Sequence, residues 1–388
     1  MHCYAAGGVI RDLLLGYTVQ DADFVFDIPE EEFLQMNPEA RKTKSGLFPI
    51  YMLHGQEYTP LVPNVSIAPH SKSRFQENLL KRDFTINALL LSDTGILHCL
   101  PQTLADLKSK TLRPASASAI HDDPARAFRA ARFAATLQGL CVHEDTLAQM
   151  RAVKRAKLED IAAERIAGEV LKACRGRTPG KFVELLHEGG CLDFWFAEFA
   201  RAAHIPAGPQ KYHGNETVLS HTANIMNAVA HMAGKEKEED RQLAVWMALC
   251  HDLGKSTTPS ELLPKHIGHE DRGAAMALAL GERLAMPKRF IKAGLLAARE
   301  HMKGGTYFSL RPGTRVDLIL LLANNRLLTP FSLLCAADSG RHELPAVMQR
   351  DLHCILEVTL PHSLRNKGEF SGKRLRELRC EALVVADS

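Results

Sequence analysis

No two of the nine cysteines stand in Cys-x-x-Cys spacing. Scattered singly along 388 residues, they form neither a disulfide framework nor a zinc ribbon, and they point to reduced thiols in a cytoplasmic protein. No apolar run approaches the roughly 20 residues that a membrane-spanning helix needs, and Met1-His2-Cys3-Tyr4 is no signal peptide. Charge of one sign is scarce as well. There are 48 Lys and Arg against 45 Asp and Glu, a net charge of +3. Any nucleic-acid surface must therefore be a local patch and not a global field. There is no internal repeat and no low-complexity stretch. The remaining composition, 46% hydrophobic and 24% charged, is that of a globular chain long enough for two or three domains.

Against that background the N-terminus stands out. Asp21 and Asp23 follow the run Gly7-Gly8-Val9-Ile10-Arg11-Asp12. Residues i and i+2 of a strand share a face, so the two carboxylates offer the hard oxygen ligands that Mg²⁺ takes beside substrate phosphates. Gly7 and Gly8 let the backbone approach a phosphate, and the helix they open aims its N-terminus at that anion. Arg11 adds a fork of donors for phosphate oxygens. An isolated Asp-x-Asp is most often a solvated turn. The glycine pair and Arg11 turn the reading toward two-metal nucleotidyl transfer.

The first hundred residues read as mixed α/β. The pattern predicts a helix over 9–16, a strand at Phe24-Val25-Phe26, and a hairpin from Phe48-Pro49-Ile50-Tyr51-Met52-Leu53 and Gly55-Gln56-Glu57-Tyr58. It predicts loop over 59–73, a helix over 87–91, and a turn and strand at Gly95-Ile96-Leu97. From Asp122 the apolar spacing becomes helical, with helices expected over 125–137, 144–156, 162–174 and 181–188. The Pro- and Gly-containing segment 205–214 reads as a boundary, followed by helices to the C-terminus. The expected fold is α+β, with a head over 1–115, a helical neck and body over 116–204, and a helical tail over 205–388.

Two further clusters carry chemistry. One is Lys81-Arg82-Asp83-Phe84-Thr85-Ile86-Asn87-Ala88. The other is Asp122-Asp123-Pro124-Ala125-Arg126-Ala127-Phe128-Arg129. Pro124 fits the first turn of a helix capped by Asp122 or Asp123. Arg126 and Arg129 share a face, and Asp123 and Arg126 are three apart, so a carboxylate and a guanidinium can project together. On its own that pair also fits a capping aspartate with a solvated ion pair.

In this order the motifs resemble the class II tRNA nucleotidyltransferases, the CCA-adding enzymes, and the related bacterial poly(A) polymerases. The resemblance implies a polymerase-β-like nucleotidyltransferase head in which Asp21 and Asp23 are catalytic and bind Mg²⁺. It implies that Gly8, Arg11, Arg82, Arg126 and Arg129 contact the incoming nucleotide. Asp123 and Arg126 would select CTP and ATP by their base edges, and Asp83 and Asn87 would order the site. Glu57 is a weak candidate for a third carboxylate and otherwise an exposed strand residue. The segment after Tyr58, Thr59-Pro60-Leu61-Val62-Pro63, reads as shortened relative to the family, which leaves an enzyme adding only the two cytidines as an alternative. A poly(A) polymerase, and an RNA-binding hydrolase with an inactive head, are the others.

Nine basic residues between Arg151 and Lys181 form either a solvated helical face or a surface for the tRNA acceptor arm, read by shape and backbone. The resemblance favours the tRNA.

The tail holds a second constellation. His251-Asp252 lies in Met247-Ala248-Leu249-Cys250-His251-Asp252-Leu253-Gly254-Lys255, with His221 upstream and His269, His301 and Asp338 downstream. A His-Asp pair in an apolar helix needs a partner such as a metal. The arrangement resembles the HD phosphohydrolase superfamily. This implies His221, His251, Asp252 and Asp338 as ligands of a divalent ion (Ni²⁺, Mn²⁺ or Mg²⁺), with Lys255, His269 and His301 as accessory residues and His213 outside the ligand set. The implied activities are phosphatase and 2′,3′-cyclic phosphodiesterase. A monomer or homodimer, with no membrane contact, is expected.

Overall fold

The computed structural model describes residues 3–19, 22–43, 49–61 and 72–387. Asp21 and Phe48 lie outside the described residues, as does most of the segment expected as loop. The chain packs as two compact units, one of residues 1–130 and 139–154, the other of 131–138 and 155–388.

The first unit is built on a seven-stranded mixed sheet. Its strands are β1 (Cys3–Ala6), β2 (Asp23–Phe26), β3 (Arg41–Lys42), β4 (Tyr51–Leu53), β5 (Gln56–Pro60), β6 (Leu89–Ser92) and β7 (Leu97–Cys99), in the order β3-β4-β5-β2-β1-β6-β7. Among the described neighbours in this sheet, β2 and β5 run parallel and the others are antiparallel. Strand β2 is buried on both faces by period-2 alternation. Val25 joins Tyr4, Leu79 and Leu90 on one side. Phe26 stacks on Phe33 on the other, ring centroids 4.0 Å apart. The sheet is thereby fixed between two apolar layers, and the entrance of β2 is held where Asp23 begins it.

The expected helix over 87–91 is instead strand β6, entered from a single turn at Thr85–Asn87. A short apolar run cannot be told from a helix by periodicity. Here Leu89 and Leu90 are both fully buried, and β6 takes the place beside β1 through Tyr4↔Ser92 and Ala6↔Leu90. The segment read as loop over 59–73 also differs. Thr59 and Pro60 finish β5, and a helix begins at Lys72 and runs to Leu80.

The second unit is helical. Helix Glu238–Cys250 is buried from Gln242 onward, as expected of a helix apolar on all sides. Around it pack Val218–Met232, Lys288–Gly305 and Leu328–Ser339, with His269–Arg283 beside Lys288–Gly305. Gly176 and Gly180 permit close backbone crossings: a Cβ on either would lie 2.2 Å from a carbonyl oxygen, of Ala135 and Ala223 respectively. The segment 205–214 packs inside this unit, where Ala207 is buried and its carbonyl accepts from Lys255 Nζ at 2.9 Å. No helix among the described residues is long and apolar enough to cross a membrane.

Candidate functional site

Two sites emerge, one in each unit. In the first, β1 gives way to Gly7, whose φ of +64° turns the chain into helix Gly8–Leu15. Only glycine adopts that backbone conformation without strain. A Cβ there would also sit 3.4 Å from Arg82 Nη1, so the guanidinium lies against the glycine turn.

The arginines are tied into one network. Arg11 Nη1 donates to Asn87 Oδ1 at 2.7 Å, and Asn87 Nδ2 donates to Asp83 Oδ1 at 2.9 Å. Asp83 also accepts from the Phe84 amide at 2.8 Å and from Arg129 Nε at 2.8 Å. Burial raises the Asp83 pKa, but the Arg129 guanidinium and these hydrogen bonds outweigh it and hold the carboxyl well below the usual carboxylate range. Asp83 is thus a fixed anion that sets Arg11 through Asn87 and sets Arg129 directly.

Arg82 is held by a residue that sequence reasoning missed. Asn78 Oδ1 accepts from Arg82 Nε and Nη2 at 3.3 and 3.2 Å, while its own Nδ2 donates to Leu61 O at 2.9 Å. The signal was a side-chain pair four apart, at the end of a helix not anticipated. These residues line a cavity of about 240 Å³ together with Ile50, Thr59, Pro60, Lys81 and Arg126. Arg126 donates to the backbone carbonyls of Ala119 (2.9 Å) and Lys81 (2.5 Å), and its Nε is 4.0 Å from Asp123 Oδ2. Asp123 Oδ1 accepts from the Ala125 amide at 3.3 Å, which caps the helix Ala125–Thr136. Gly8 opens its helix, and Asp23 is exposed at the start of β2, in register with Glu57 on β5. The two strands therefore offer two adjacent carboxylates near the start of two neighbouring parallel strands in the middle of the sheet.

The second site converges on Asp252, which follows the buried helix and is 2% exposed. His221 comes from Val218–Met232, His269 from His269–Arg283, His301 from Lys288–Gly305 and Asp338 from Leu328–Ser339. Each imidazole gives its Nδ1 to a group that can only accept. For His251 this is Ala248 O at 2.7 Å, for His269 His266 O at 2.8 Å, and for His301 Ala298 O at 3.0 Å. For His221 it is the Glu216 carboxylate at 3.3 Å. In the neutral ring, a proton on each Nδ1 leaves the Nε2 with a lone pair.

These lone pairs face carboxylates. His221 Nε2 lies 3.2 Å from Asp338 Oδ1 and 3.7 Å from Asp252 Oδ2, and His251 Nε2 lies 3.2 Å from Asp252 Oδ2. His269 and His301 have their Nε2 atoms 3.1 Å apart, each 3.5 Å from Asp252 Oδ1. Burial pushes the His301 imidazole down to about 4, so it is neutral at pH 7. Acceptors facing acceptors repel unless cations lie between them. His251 Nε2 and Asp252 Oδ1 are buried with no hydrogen-bond partner. The donor set fits divalent metal in two groups, His221–His251–Asp338 and Asp252–His269–His301, and a third cluster that shares His221 adds His213 and Glu216. Lys255 is committed to Asp252 Oδ2 at 2.7 Å and to Ala207 O. Glu216, outside the sequence-based set, is the partner of His221, and the His213 ring lies 5.0 Å from that of His221.

Comparison with known proteins agrees with this layout. Residues 3–113 match the poly A polymerase head domain, 139–202 a probable RNA and SrmB-binding site of polymerase A, and 218–327 the HD domain. The multifunctional CCA protein of Tolumonas auensis is 32% identical over 363 residues, covering 87% of this chain and 84% of the relative. That of Alkalilimnicola ehrlichii is 32% identical over 402 residues, covering 97% and 94%. A CCA-adding enzyme in complex with ATP superposes with a TM-score of 0.65 at 19% identity, over 98% of this chain and 86% of that one. A Thermotoga maritima CCA-adding enzyme complexed with tRNA gives 0.62 at 19%, over 98% and 86%. At that identity the two structures show a common fold. The chain belongs to the class II CCA-adding tRNA nucleotidyltransferases that carry an HD domain, the family of the multifunctional CCA proteins.

Proposed function

We propose that the first unit completes or repairs the 3′-terminal CCA of tRNA from CTP and ATP, and that the HD unit is a metal-dependent phosphohydrolase acting on phosphomonoesters and 2′,3′-cyclic phosphates. The observation that carries the transferase reading is the hydrogen-bonded chain Arg11–Asn87–Asp83–Arg129 beside the Gly7-Gly8 turn. It fixes cationic forks where a triphosphate meets a helix N-terminus, before any substrate arrives.

In this reading Arg11 and Arg82 neutralise the triphosphate. Asn78 holds the Arg82 fork in one orientation, and Asp83 holds Arg129. Asp123, Arg126 and Arg129 present acceptors and donors to the base edge. Ile50, Pro60 and Leu61 give the adjoining cavity an apolar wall. Mg²⁺ held by Asp21 and Asp23 would supply charge stabilisation for the attacking 3′-oxygen and the departing pyrophosphate. Glu57 stands beside Asp23 as a further oxygen donor.

In the HD unit His221, His251, Asp252 and Asp338, with His269 and His301, would hold divalent metal, whose chemistry is Lewis-acid activation of phosphate and water. The inward Nε2 lone pairs of four histidines support this. The basic stretch from Arg151 to Lys181 is assigned to the tRNA backbone, with salt-sensitive affinity.

Two substitutions test the assignment together. Asp23→Asn abolishes nucleotide addition and spares hydrolysis of a 2′,3′-cyclic nucleotide. His251→Ala does the reverse. A single substitution that removes both activities refutes two independent sites.

A further inference from the structure

Glu216 lies outside the family's motif residues named above, yet it makes two specific contacts. Its Oε2 is 3.3 Å from His221 Nδ1, and its Oε1 accepts from Asn224 Nδ2 at 2.7 Å. Asn224 is on the same helix as His221, one turn on. That helix is locked at its start by a capping box, in which Thr217 accepts from the Ser220 amide and Ser220 Oγ accepts from the Thr217 amide. Glu216 immediately precedes the cap, so its backbone is fixed, and Asn224 fixes its carboxylate.

We infer that Glu216 is a positioning residue for the HD metal centre, holding His221 as the Nδ1–H tautomer with Nε2 aimed at Asp338 and Asp252. The inference rests on the metal-binding reading of the HD unit. Its physical basis is that a carboxylate can only accept. The ring nitrogen facing it must carry the proton, and the lone pair is left on the side of Asp338 Oδ1, 3.2 Å away. The other three imidazoles are set by backbone carbonyls. His221 Nδ1 faces the Glu216 carboxylate and not a backbone carbonyl, whereas His269 keeps the His266 carbonyl beside a more distant Glu270 carboxylate at 3.5 Å, so the His221 tautomer is the one that a single side-chain substitution can release. A charged acceptor also raises the basicity of the far nitrogen more than a carbonyl does.

The test is titration of the metal-free full-length protein with Mn²⁺ by calorimetry, for wild type, Glu216→Ala and Glu216→Gln. Loss of such a partner weakens metal affinity on the order of 10–100-fold. Glu216→Ala is expected to show that loss with stoichiometry unchanged, with CCA addition and the metal-free unfolding midpoint as in wild type. Glu216→Gln keeps an acceptor oxygen and recovers most of the affinity. Histidine ¹⁵N spectra of the metal-free protein are expected to show the His221 Nδ1–H signal in wild type and Glu216→Gln, and mixed tautomers in Glu216→Ala. Mn²⁺ affinity within twofold of wild type in Glu216→Ala overturns the inference. So does the loss of one whole ion in both variants, which would make Glu216 a ligand together with His213 and His221. Wild type binding no Mn²⁺ overturns the metal reading beneath it, a distinguishable failure.

Discussion

Replacing Gly254 by alanine should disable the HD site without adding any polar group. Gly254 follows Asp252 by two residues and passes against helix His269–Arg283. A Cβ there would lie 2.0 Å from His269 O, 2.5 Å from Gly273 N and 2.9 Å from Gly273 Cα. All three atoms are backbone, so no rotamer change relieves the overlap. Carbon and oxygen approach to only about 3.3–3.6 Å in favourable contacts, so from 2.0 Å the start of that helix must retreat by roughly 1.3–1.6 Å. Overpacking costs about 1–3 kcal/mol, and a purely backbone clash belongs at the upper end. For a unit of this size about 3 kcal/mol lowers the unfolding midpoint by roughly 6–12 °C. The same retreat carries His269 Nε2 away from Asp252 Oδ1, now 3.5 Å distant. Metal sites tolerate errors of only about 0.2 Å, so Mn²⁺ affinity should fall at least tenfold. Calorimetric Mn²⁺ titration and thermal unfolding of the full chain check both effects, while CCA addition should be untouched. Gly168→Ala is the control. It lies in helix Ala163–Ala173 with nothing within 4 Å of the added Cβ, and should stabilise by about 0.5–1 kcal/mol. A Gly254→Ala protein with wild-type midpoint and metal affinity would refute the reasoning.

Other perturbations separate the two units. Asn78→Ala releases Arg82 and strips two charge-assisted bonds, each worth about 1.5–3 kcal/mol; kcat/KM for CTP should fall about 10–100-fold, measured on tRNA lacking its terminal CCA, with phosphohydrolase activity unchanged. Asp83→Asn should cost about 2–3 kcal/mol, below the usual range for a broken buried pair because Arg129 is 36% exposed. The folded pKa of Asp83 lies below its unfolded value, so its stabilisation is fully present above about pH 3.9 and is lost as pH falls through the lowered value. Denaturation midpoints of wild type and Asp83→Asn should therefore differ at pH 7 and converge in acid. Among the cysteines, exposed Cys141 should label first with a thiol reagent at pH 8, while burial holds Cys174 and Cys191 at about 12 and keeps them inert until unfolding.

Sequence alone reached the helices best where amphipathic spacing ran long. Lys181–Glu188 has the expected bounds, and Ala163–Ala173 differs by one residue at each end. It failed at Leu89–Ser92, where sheet partners and not local pattern decide the conformation, and at Lys72–Leu80, whose helical spacing follows a proline-bearing stretch. Chemistry-bearing residue types were legible because few other roles need them buried: a His-Asp pair at the end of an apolar helix, both side chains out of solvent, has few structural reasons to be there. The supporting partners were not. Asn78 and Glu216 are unremarkable polar residues until the fold sets them against Arg82 and His221. Nor was the proximity of His269 and His301 to Asp252 legible, because tertiary packing alone makes it.

Product length on a denaturing gel separates a CCA-adding enzyme from its alternatives. The purified protein is incubated with Mg²⁺, labelled tRNA lacking its terminal CCA, and CTP with or without ATP. The account predicts two added residues with CTP alone and three with both nucleotides, then a halt. A stop at two with both present would contradict it in favour of a CC-adding enzyme, a long A ladder in favour of a poly(A) polymerase, and no extension would remove the transferase reading.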